Sequence, residues 1–396
     1  MSLDFLQVSQ QVKQLGEKAV QRQLDLKTML VESREFLEQR AQDIENLQQK
    51  VQEVARNNDP TLRCAMPMSE ALNAHFPLPP LPEQITLIAA DGSQIFADRH
   101  AEVEYCLVNT GAIWMRYGSA EAPITSIQSQ LIFAEQLEGM SDDRLSLQRD
   151  MAERVRLLEL AIQAQPPVIT LTDGPLEIWT TTLEEGRVAG EFKKSLEIYL
   201  GVLRKLQEIN ATTAGYVDKP GADLVVRLLE VARAKEEDLP EIKTYRPFRG
   251  VKDIELYKNV LQPGERSAIF GIQSRSSRPY QGELGLHFFY LNVGSPGHPY
   301  LARVEIPRWV VEQSSMLDSL HAVLVSQCGV IGVRRYPYLL HRAHETAVVN
   351  LEDKEQVTQM ITQELRMRGL EVAGQSAKQY NRTYLEQGRG MAHETI

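Results

Sequence analysis

The sequence is poor in cysteine and has no long apolar run. Its three cysteines, Cys64, Cys106 and Cys328, are widely spaced, odd in number and form no CxxC pair, which argues against a disulfide framework or a zinc site. No stretch approaches the roughly 18 apolar residues of a membrane helix, and the N-terminus lacks the basic-then-apolar order of a signal peptide. We therefore expect a globular, cytoplasmic protein without a membrane segment, its 396 residues forming one large core or two smaller ones.

Positive charge is also in deficit, since the formal net charge is −10. A free-standing nucleic-acid binder gains affinity from basic residues that neutralise phosphates, so the composition counts against that class. DNA is not excluded as a substrate. An enzyme can use a local basic groove, metal ions at the phosphate, or a partner that grips the DNA.

The first 57 residues are rich in Gln and Glu, with one glycine, Gly16, and no proline before Pro60. Their apolar residues follow a heptad-like spacing that is broken in places, which predicts a helical arm for contact with a partner or a second copy. A helix packed on its own domain explains the pattern equally well. The prolines of residues 58–84 predict an irregular connector, so we expect the catalytic domain to span residues 85–396.

Two aliphatic runs, Ile85 to Ala90 and Val168 to Thr172, are each followed by Asp-Gly. Such runs predict buried strands, which would bring Asp91 and Asp173 to one point if the strands are neighbours. Converged carboxylates must bind a cation or share a proton, because like charges a few Å apart do not both stay ionised unaided. Asp-Gly is also a common turn dipeptide, so neither acid is decisive alone.

The segment between the two acids has the pattern of a hairpin and a helix. Strands at 103–108 and 113–117 would flank a turn at 109–111, and helical spacing runs from about 142 to 165. Strand, hairpin, helix and strand, in that order, form an RNase H-like core, an α/β fold whose mixed sheet has flanking helices and pairs the first and last strands in parallel. The long helical arm precedes it here.

Metal-dependent members of that fold class carry a third acid on the helix, and Glu153 and Glu159 compete for this place. A helix rises about 1.5 Å per residue and a strand about 3.3 Å, so the helix must return as far as the strand then climbs. Glu153, about twelve residues before Gln165, lies at the height of Asp173. Glu159 lies nearer the apolar face of the helix. We favour Glu153 and keep Glu159 as the alternative.

The rest of the chain predicts a helix at about 184–209, a strand leading to Lys219, irregular structure at 230–260, and strands at 268–272, 283–291 and 301–306. Lys219 is either a cation for a substrate phosphate or a solvated strand end.

The pattern Tyr-Pro-x-x-Leu-x-x-Ala-His runs from Tyr336 to His344. Together with Asp-Gly-Ser at 91–93, a helix glutamate and Asp-Gly-Pro-Leu at 173–176, it resembles the NurA family of DNA repair nucleases. The resemblance runs in the family's order from about Ile85 to Lys378. It includes the segments Ala-Gly-Tyr-Val-Asp-Lys-Pro at 214–220 and Ala-Arg-Val-Glu-Ile-Pro at 302–307.

The resemblance implies site residues. It places the family's metal-binding carboxylates on Asp91, Glu153 and Asp173, its metal-binding histidine on His344 and its tyrosine, which would position the scissile phosphate, on Tyr336. If the intervening segment is helical, the tyrosine and histidine are about two turns apart. The chain departs from the family pattern in having Pro175 where many relatives have Ser, and His341 is an extra imidazole without an assigned role.

The resemblance also implies a function. It points to a deoxyribonuclease dependent on Mn²⁺ or Mg²⁺, of the 5′–3′ exonuclease and single-strand endonuclease type, acting on single- and double-stranded DNA ends in double-strand break resection. A histidine among carboxylates favours manganese. The implied partners are a second copy of the chain and the hexameric ATP-driven translocase HerA. A non-catalytic docking adaptor and a metal-dependent phosphatase are the alternatives.

Overall fold

The structure is a computed structural model that describes residues 3–98, 103–178 and 187–370. The helices are α1 (Phe5–Arg40), α2 (Ile44–Asn57), α3 (Asp142–Gln163), α4 (Arg187–Glu208), α5 (Leu224–Arg233), α6 (Asp253–Tyr257), α7 (Arg308–Val311), α8 (Ser314–Val330), α9 (Tyr338–Ala347) and α10 (Leu351–Met367). The strands are β1 (Cys64–Pro67), β2 (His75–Phe76), β3 (Ile85–Ile95), β4 (Tyr105–Tyr117), β5 (Ile124–Phe133), β6 (Val168–Asp173), β7 (Thr212–Val217), β8 (Arg266–Ser267), β9 (Phe270–Gln273), β10 (Leu286–Asn292) and β11 (Leu301–Pro307). Over the described ranges, no helix has both the length and the apolar character needed to cross a membrane.

The chain divides into two compact units. Unit 1 holds the described residues of Met1–Glu83, Asp173–Glu177 and Thr212–Tyr338. Unit 2 holds those of Gln84–Thr172, Ile178–Ala211 and Leu339–Ile396. These boundaries differ from the arm, connector and catalytic segments predicted from composition, because the first 83 residues share a unit with later strands.

Unit 2 is built on a sheet in the order β6-β3-β4-β5. Strand β3 pairs antiparallel with β4 along its whole length, and β4 pairs antiparallel with β5. Residues Thr86 to Ala90 of β3 pair in parallel with Val168 to Thr172 of β6. Helix α3 connects the β3–β5 meander to β6 and buries apolar side chains, Leu145, Leu157, Leu158 and Ala161 among them. The predicted fold class is thereby confirmed, including the parallel pairing of the first and last strands.

The predicted hairpin turn at Asn109-Thr110-Gly111 is wrong. Strand β4 runs straight through these residues, and the reversal lies after Tyr117, between β4 and β5. Gly111 has a steric role: a Cβ there would lie 2.5 Å from the backbone nitrogen of Ala347 at the end of α9. The Asn109 side chain donates to the Ala347 carbonyl oxygen at 2.8 Å. This polar, glycine-containing stretch therefore anchors a helix.

Helix α9 is fixed against β3 next to the first predicted acid. The Ser93 hydroxyl donates to the carbonyl oxygen of Ala347 at 2.5 Å and accepts from the amide of Val349 at 3.2 Å. Helix α10 continues this packing, with an apolar cluster formed by Ile95, Tyr105, Leu107, Leu131, Val349, Val357 and Ile361. The C-terminal helices thus belong to the core of unit 2.

Unit 1 contains an antiparallel sheet in the order β1-β9-β10-β11-β7, with β2 and β8 added beside β10. The predicted connector supplies β1 and β2, so its prolines do not exclude regular structure. Pro67 ends β1, which pairs with β9, and a proline is tolerated on such an edge because its missing N–H is not needed there. Residues 230–260, predicted to be irregular, include the end of α5 and all of α6.

The N-terminal arm consists of two helices with different surroundings. In α2, Val51 and Val54 are buried, and the Lys50 ammonium donates to the carbonyl oxygen of Ala232 at 3.0 Å. The first turns of α1 expose their apolar residues, with Leu6 80% and Leu15 70% exposed. The self-packed interpretation therefore holds for α2, while contact of α1 with a partner or a second copy stays a prediction.

Candidate functional site

Asp91 and His344 meet in unit 2. The Oδ2 atom of Asp91 lies 2.6 Å from Nδ1 of His344, although the two residues are 253 positions apart in the chain. The imidazole is 61% exposed and the carboxylate 15% exposed. Asp91 lies in strand β3, which pairs with β4 along its whole length. Hydrogen bonds from Ser93 and Asn109 to the Ala347 carbonyl oxygen fix α9, the helix that carries His344. Each side chain thus stands on a fixed element.

Glu153 of α3 lies against the peptide that follows Asp91. A Cβ on Gly92 would be 2.7 Å from Oε1 of Glu153 and 2.5 Å from Cγ of Arg149, so only glycine permits this approach of the helix. Glu159 lies elsewhere: it is exposed, and its carboxylate pairs with the Arg156 guanidinium at 2.9 Å. Of the two competing glutamates, the structure brings Glu153 to Asp91.

The Glu153 carboxyl has an unusual environment. Its pKa is raised from 4.5 to about 8, mainly by burial and also by Asp150 and Asp91, while Arg154 and Arg149 oppose the rise. A buried acid with such a pKa holds its proton at neutral pH unless a cation is added beside it. This combination of burial and neighbouring charge is typical of functional sites.

Arg149 is a member of the site that the sequence did not reveal. Its Nε atom lies 3.4 Å from Oε1 of Glu153, and its Nη2 atom lies 2.7 Å from Oδ1 of Asp150. Burial lowers the pKa of this guanidinium, but the charges of Asp150, Glu153 and Asp91 outweigh the effect and raise it. The available signal was its position four residues before Glu153, which places both on one helix face.

The other predicted residues lie in unit 1. Strand pairing of β6 with β3 ends with Thr172 opposite Ala90, and Asp173 follows Thr172 as an exposed residue. The ring of Tyr336 meets the ring of Tyr216 edge to face, with centroids 5.7 Å apart. Because α9 begins at Tyr338, Tyr336 precedes it and the two-turn spacing to the histidine does not apply.

Lys219 follows β7 in a left-handed backbone conformation, with φ +43°. It is exposed, and its ammonium lies 5.4 Å from the centroid of the Tyr300 ring. His341, on α9 in unit 2, has its Nε2 atom 3.4 Å from Oε1 of Glu345 one turn later. The contact of this extra imidazole thus runs along its own helix.

The family model for the NurA domain matches residues 85–349, about two thirds of the chain. The chain belongs to the NurA family. No curated protein matches it by sequence. The NurA match ends before Lys378, the predicted limit of the resemblance, and that residue lies outside the described ranges.

Solved structures similar to this NurA chain include nucleases. The NurA nuclease from Sulfolobus solfataricus is 13% identical, covers 89% of this chain and 98% of its own, and gives a TM-score of 0.46. Human ENDOV is 15% identical, covers 67% of this chain and 82% of its own, and gives a TM-score of 0.31. Endonuclease V from Ciona intestinalis, in complex with a 24mer DNA containing an inosine, is 13% identical, with 70% and 87% coverage and a TM-score of 0.30.

The donor chemistry of this candidate site suits a hard divalent ion. Asp91 and Glu153 offer carboxylate oxygens, and His344 offers an imidazole nitrogen. Mn²⁺ accepts both types of ligand, whereas Mg²⁺ prefers oxygen. Within the part of the chain that the structure describes, no group of three or more His, Cys, Asp or Glu side chains is arranged to hold a metal ion. Positive charge beside these carboxylates comes from Arg149 and, at Glu153, also from Arg154.

Proposed function

We propose that this NurA protein is a metal-dependent deoxyribonuclease that hydrolyses phosphodiesters, acting on single- and double-stranded DNA ends as a 5′–3′ exonuclease and single-strand endonuclease. The observation that carries the proposal is the contact of Asp91 with His344 beside the buried Glu153, in a chain of this family. An exposed imidazole on an acid, next to a second acid with a raised pKa, is chemistry that a structural role does not require.

The proposed ligands of the metal are Asp91, Glu153, Asp173 and His344, and the proposed ion is Mn²⁺ or Mg²⁺. When bound, a divalent ion would lower the pKa of a water molecule and neutralise charge on the phosphodiester. Glu153 would hold the ion as a carboxylate, so binding would be favoured by a pH at which this acid is ionised. In the metal-free protein the Asp91 carboxylate accepts from Nδ1 of His344, and both side chains would hold the ion when it is bound.

Substrate contacts are assigned to Tyr336 and Lys219. The tyrosine hydroxyl can donate a hydrogen bond to the scissile phosphate, and its ring is fixed by Tyr216. Lys219 is exposed and supplies a positive charge for the DNA backbone. Arg149 balances the carboxylates in the metal-free protein. The net charge of −10 is accommodated because these contacts are local.

The proposed context is DNA double-strand break end resection in the cytoplasm, with a homodimer docked on a HerA-type hexameric translocase that drives duplex DNA to the nuclease. The exposed apolar residues in the first turns of α1, which include Leu6, Val12 and Leu15, are suited to contact with a second copy or the translocase. Three free, buried cysteines are consistent with a reducing compartment.

The test uses the purified chain with end-labelled single- and double-stranded DNA in Mn²⁺, Mg²⁺ or EDTA, alone and with a HerA-type ATPase. We expect metal-dependent cleavage that is lost in Asp91→Ala and Glu153→Gln. Glu159→Gln is the matched control, because Glu159 lies on the same helix, is exposed and pairs with Arg156. It should keep wild-type activity.

Other outcomes identify the alternatives. Full activity in Asp91→Ala would contradict the proposed site. Absence of cleavage with and without the translocase, combined with stable binding to it, would indicate a docking adaptor. Hydrolysis of a chromogenic phosphomonoester without cleavage of DNA would indicate a phosphatase.

A further inference from the structure

The turn that follows Asp173 is held by two strands of unit 1. The Gly174 amide donates to the carbonyl oxygen of Tyr216 in β7 at 2.8 Å. The Leu176 amide donates to Oε2 of Glu305 in β11 at 3.0 Å. Pro175, between them, has no N–H. Each N–H donor from Gly174 to Leu176 is therefore bound, and the backbone after the acid is fixed on both sides of the proline.

Strand β7 touches this turn through a residue that must lack a side chain. A Cβ on Gly215 would lie 2.6 Å from the carbonyl oxygen of Gly174 and 2.9 Å from the amide nitrogen of Leu176. Both neighbours are backbone atoms, so they move only if the turn moves. Gly215 also pairs with Glu305 in the β7–β11 ladder. The glycine and the glutamate thus form one contact surface for the turn.

Glu305 is itself fixed, because it is fully buried and its Oε1 atom lies 2.8 Å from Nη2 of Arg303. A buried ion pair is weak evidence for a stabilising role, since apolar residues of similar volume in its place are often as stable or more so. The hydrogen bond from Leu176 supplies another reason for its presence. At the far end of the same segment, Glu177 pairs with the Arg63 guanidinium at 2.8 Å.

We infer that Gly215 and Glu305 are positioning residues that hold the Asp173 carboxylate in its ligand orientation by fixing the turn from Gly174 to Leu176. The inference rests on the proposed role of Asp173 as a metal ligand. Hydrogen-bond partners behind a ligand set its orientation, and their loss typically weakens metal binding about 10–100-fold. The next residue of β7, Tyr216, packs on the ring of Tyr336, so the same strand supports the proposed phosphate contact.

The test measures Mn²⁺ affinity of the full-length, DNA-free protein by electron paramagnetic resonance, with kcat and KM for DNA as further readouts. We expect Gly215→Ala to weaken Mn²⁺ binding about tenfold and to lower kcat more than it changes KM. The matched control is Gly271→Ala, also a buried strand glycine of unit 1, whose Cβ would meet nothing nearer than 3.4 Å. It should bind Mn²⁺ like the wild type.

A double-mutant cycle separates positioning from general loosening. If Gly215 acts through Asp173, the Gly215→Ala change adds no further loss of affinity in an Asp173→Ala background. The inference would be overturned if the losses of Mn²⁺ affinity in the two single variants multiplied in the double variant, or if Gly215→Ala bound Mn²⁺ like the wild type. Wild-type affinity in Asp173→Ala alone, or no Mn²⁺ binding by the wild type, would instead refute the ligand assignment in the proposed function and remove the basis of the inference.

A second pair of variants applies if Gly215→Ala does not fold. Glu305→Gln keeps a side-chain oxygen that can accept from the Leu176 amide, whereas Glu305→Met has similar length and no such acceptor. We expect Gln to retain Mn²⁺ affinity and Met to lose it, with both variants compared at temperatures below their unfolding transitions. Equal affinities in the two variants would overturn the role of Glu305.

Discussion

Replacing Glu153 by Gln should make the stability of the metal-free protein less dependent on pH. The side chain is 5% exposed, and burial raises its pKa from 4.5 to about 8. Because the folded form keeps this proton to a higher pH than the unfolded chain does, the stability contributed by the carboxyl is fully present below pH 4.5. It is lost as the pH rises through about 8.

The size of the effect follows from the two pKa values. At about 1.4 kcal/mol per pKa unit, the rise corresponds to a loss of at most about 5 kcal/mol in the free energy of unfolding by pH 9. A glutamine of nearly the same shape does not ionise, so Glu153→Gln avoids this loss. We expect the variant to resemble the wild type at pH 5 and to be the more stable protein at pH 9.

The assay is urea denaturation in EDTA at pH 5, 7 and 9, combined with hydrogen exchange of peptides from α3, which reports on unit 2 alone. Glu159→Gln is again the control, because it makes the same chemical change at an exposed position of the same helix. Parallel pH profiles for the wild type and Glu153→Gln would refute the reasoning. Such a result would mean that this carboxyl is hydrated or paired at neutral pH.

Three further predictions concern single positions. Gly92→Ala should lower nuclease activity at least about tenfold in a folded protein, because the new Cβ displaces Glu153 and Arg149; unchanged cleavage rates would contradict this contact. His321→Gln should reduce acid destabilisation: burial lowers the His321 pKa from 6.5 to about 4, so its stability contribution, about 3 kcal/mol, is present above pH 6.5 and lost as the pH falls through about 4. Urea denaturation of the variant and the wild type at pH 7 and 4 measures this difference in stability. Glutamine is chosen because its amide can still donate to the Gly264 carbonyl oxygen. Lys219→Ala should raise KM for DNA a fewfold and reduce its salt dependence by about one charge, with no change in thermal stability, since the ammonium is exposed.

The elements of unit 2 that follow from local pattern were predictable. The aliphatic runs before Asp91 and Asp173, and the helical spacing from residue 142, correspond to β3, β6 and α3. The absence of a turn at residues 109–111 was not predictable. Asn-Thr-Gly is a local turn signal, but here pairing of β4 with β3 and β5 overrides it. The reason for its glycine lies at Ala347, too far along the chain for any local pattern to show.

The residue types of the candidate site were predictable, and its geometry was less so. A combination of motifs selected Asp91 and His344, whose contact spans 253 positions, and a count of residue heights favoured Glu153 over Glu159. Arg149 was missed because an arginine one turn from a glutamate on a helix is usually a solvent-exposed pair. Its importance depends on burial against Gly92, which exists only in the folded chain.

Asp91 does not stand at the end of its strand, because β3 continues to Ile95 and its residues both before and after the acid pair with β4. Adjacent residues of a strand face opposite ways, so the direction of this carboxylate is decided by the pairing register. A single-residue insertion between Ile85 and Asp91 would turn the acid to the other face without altering any side chain of the site. Length changes are therefore expected in the connection between β4 and β5 rather than within β3.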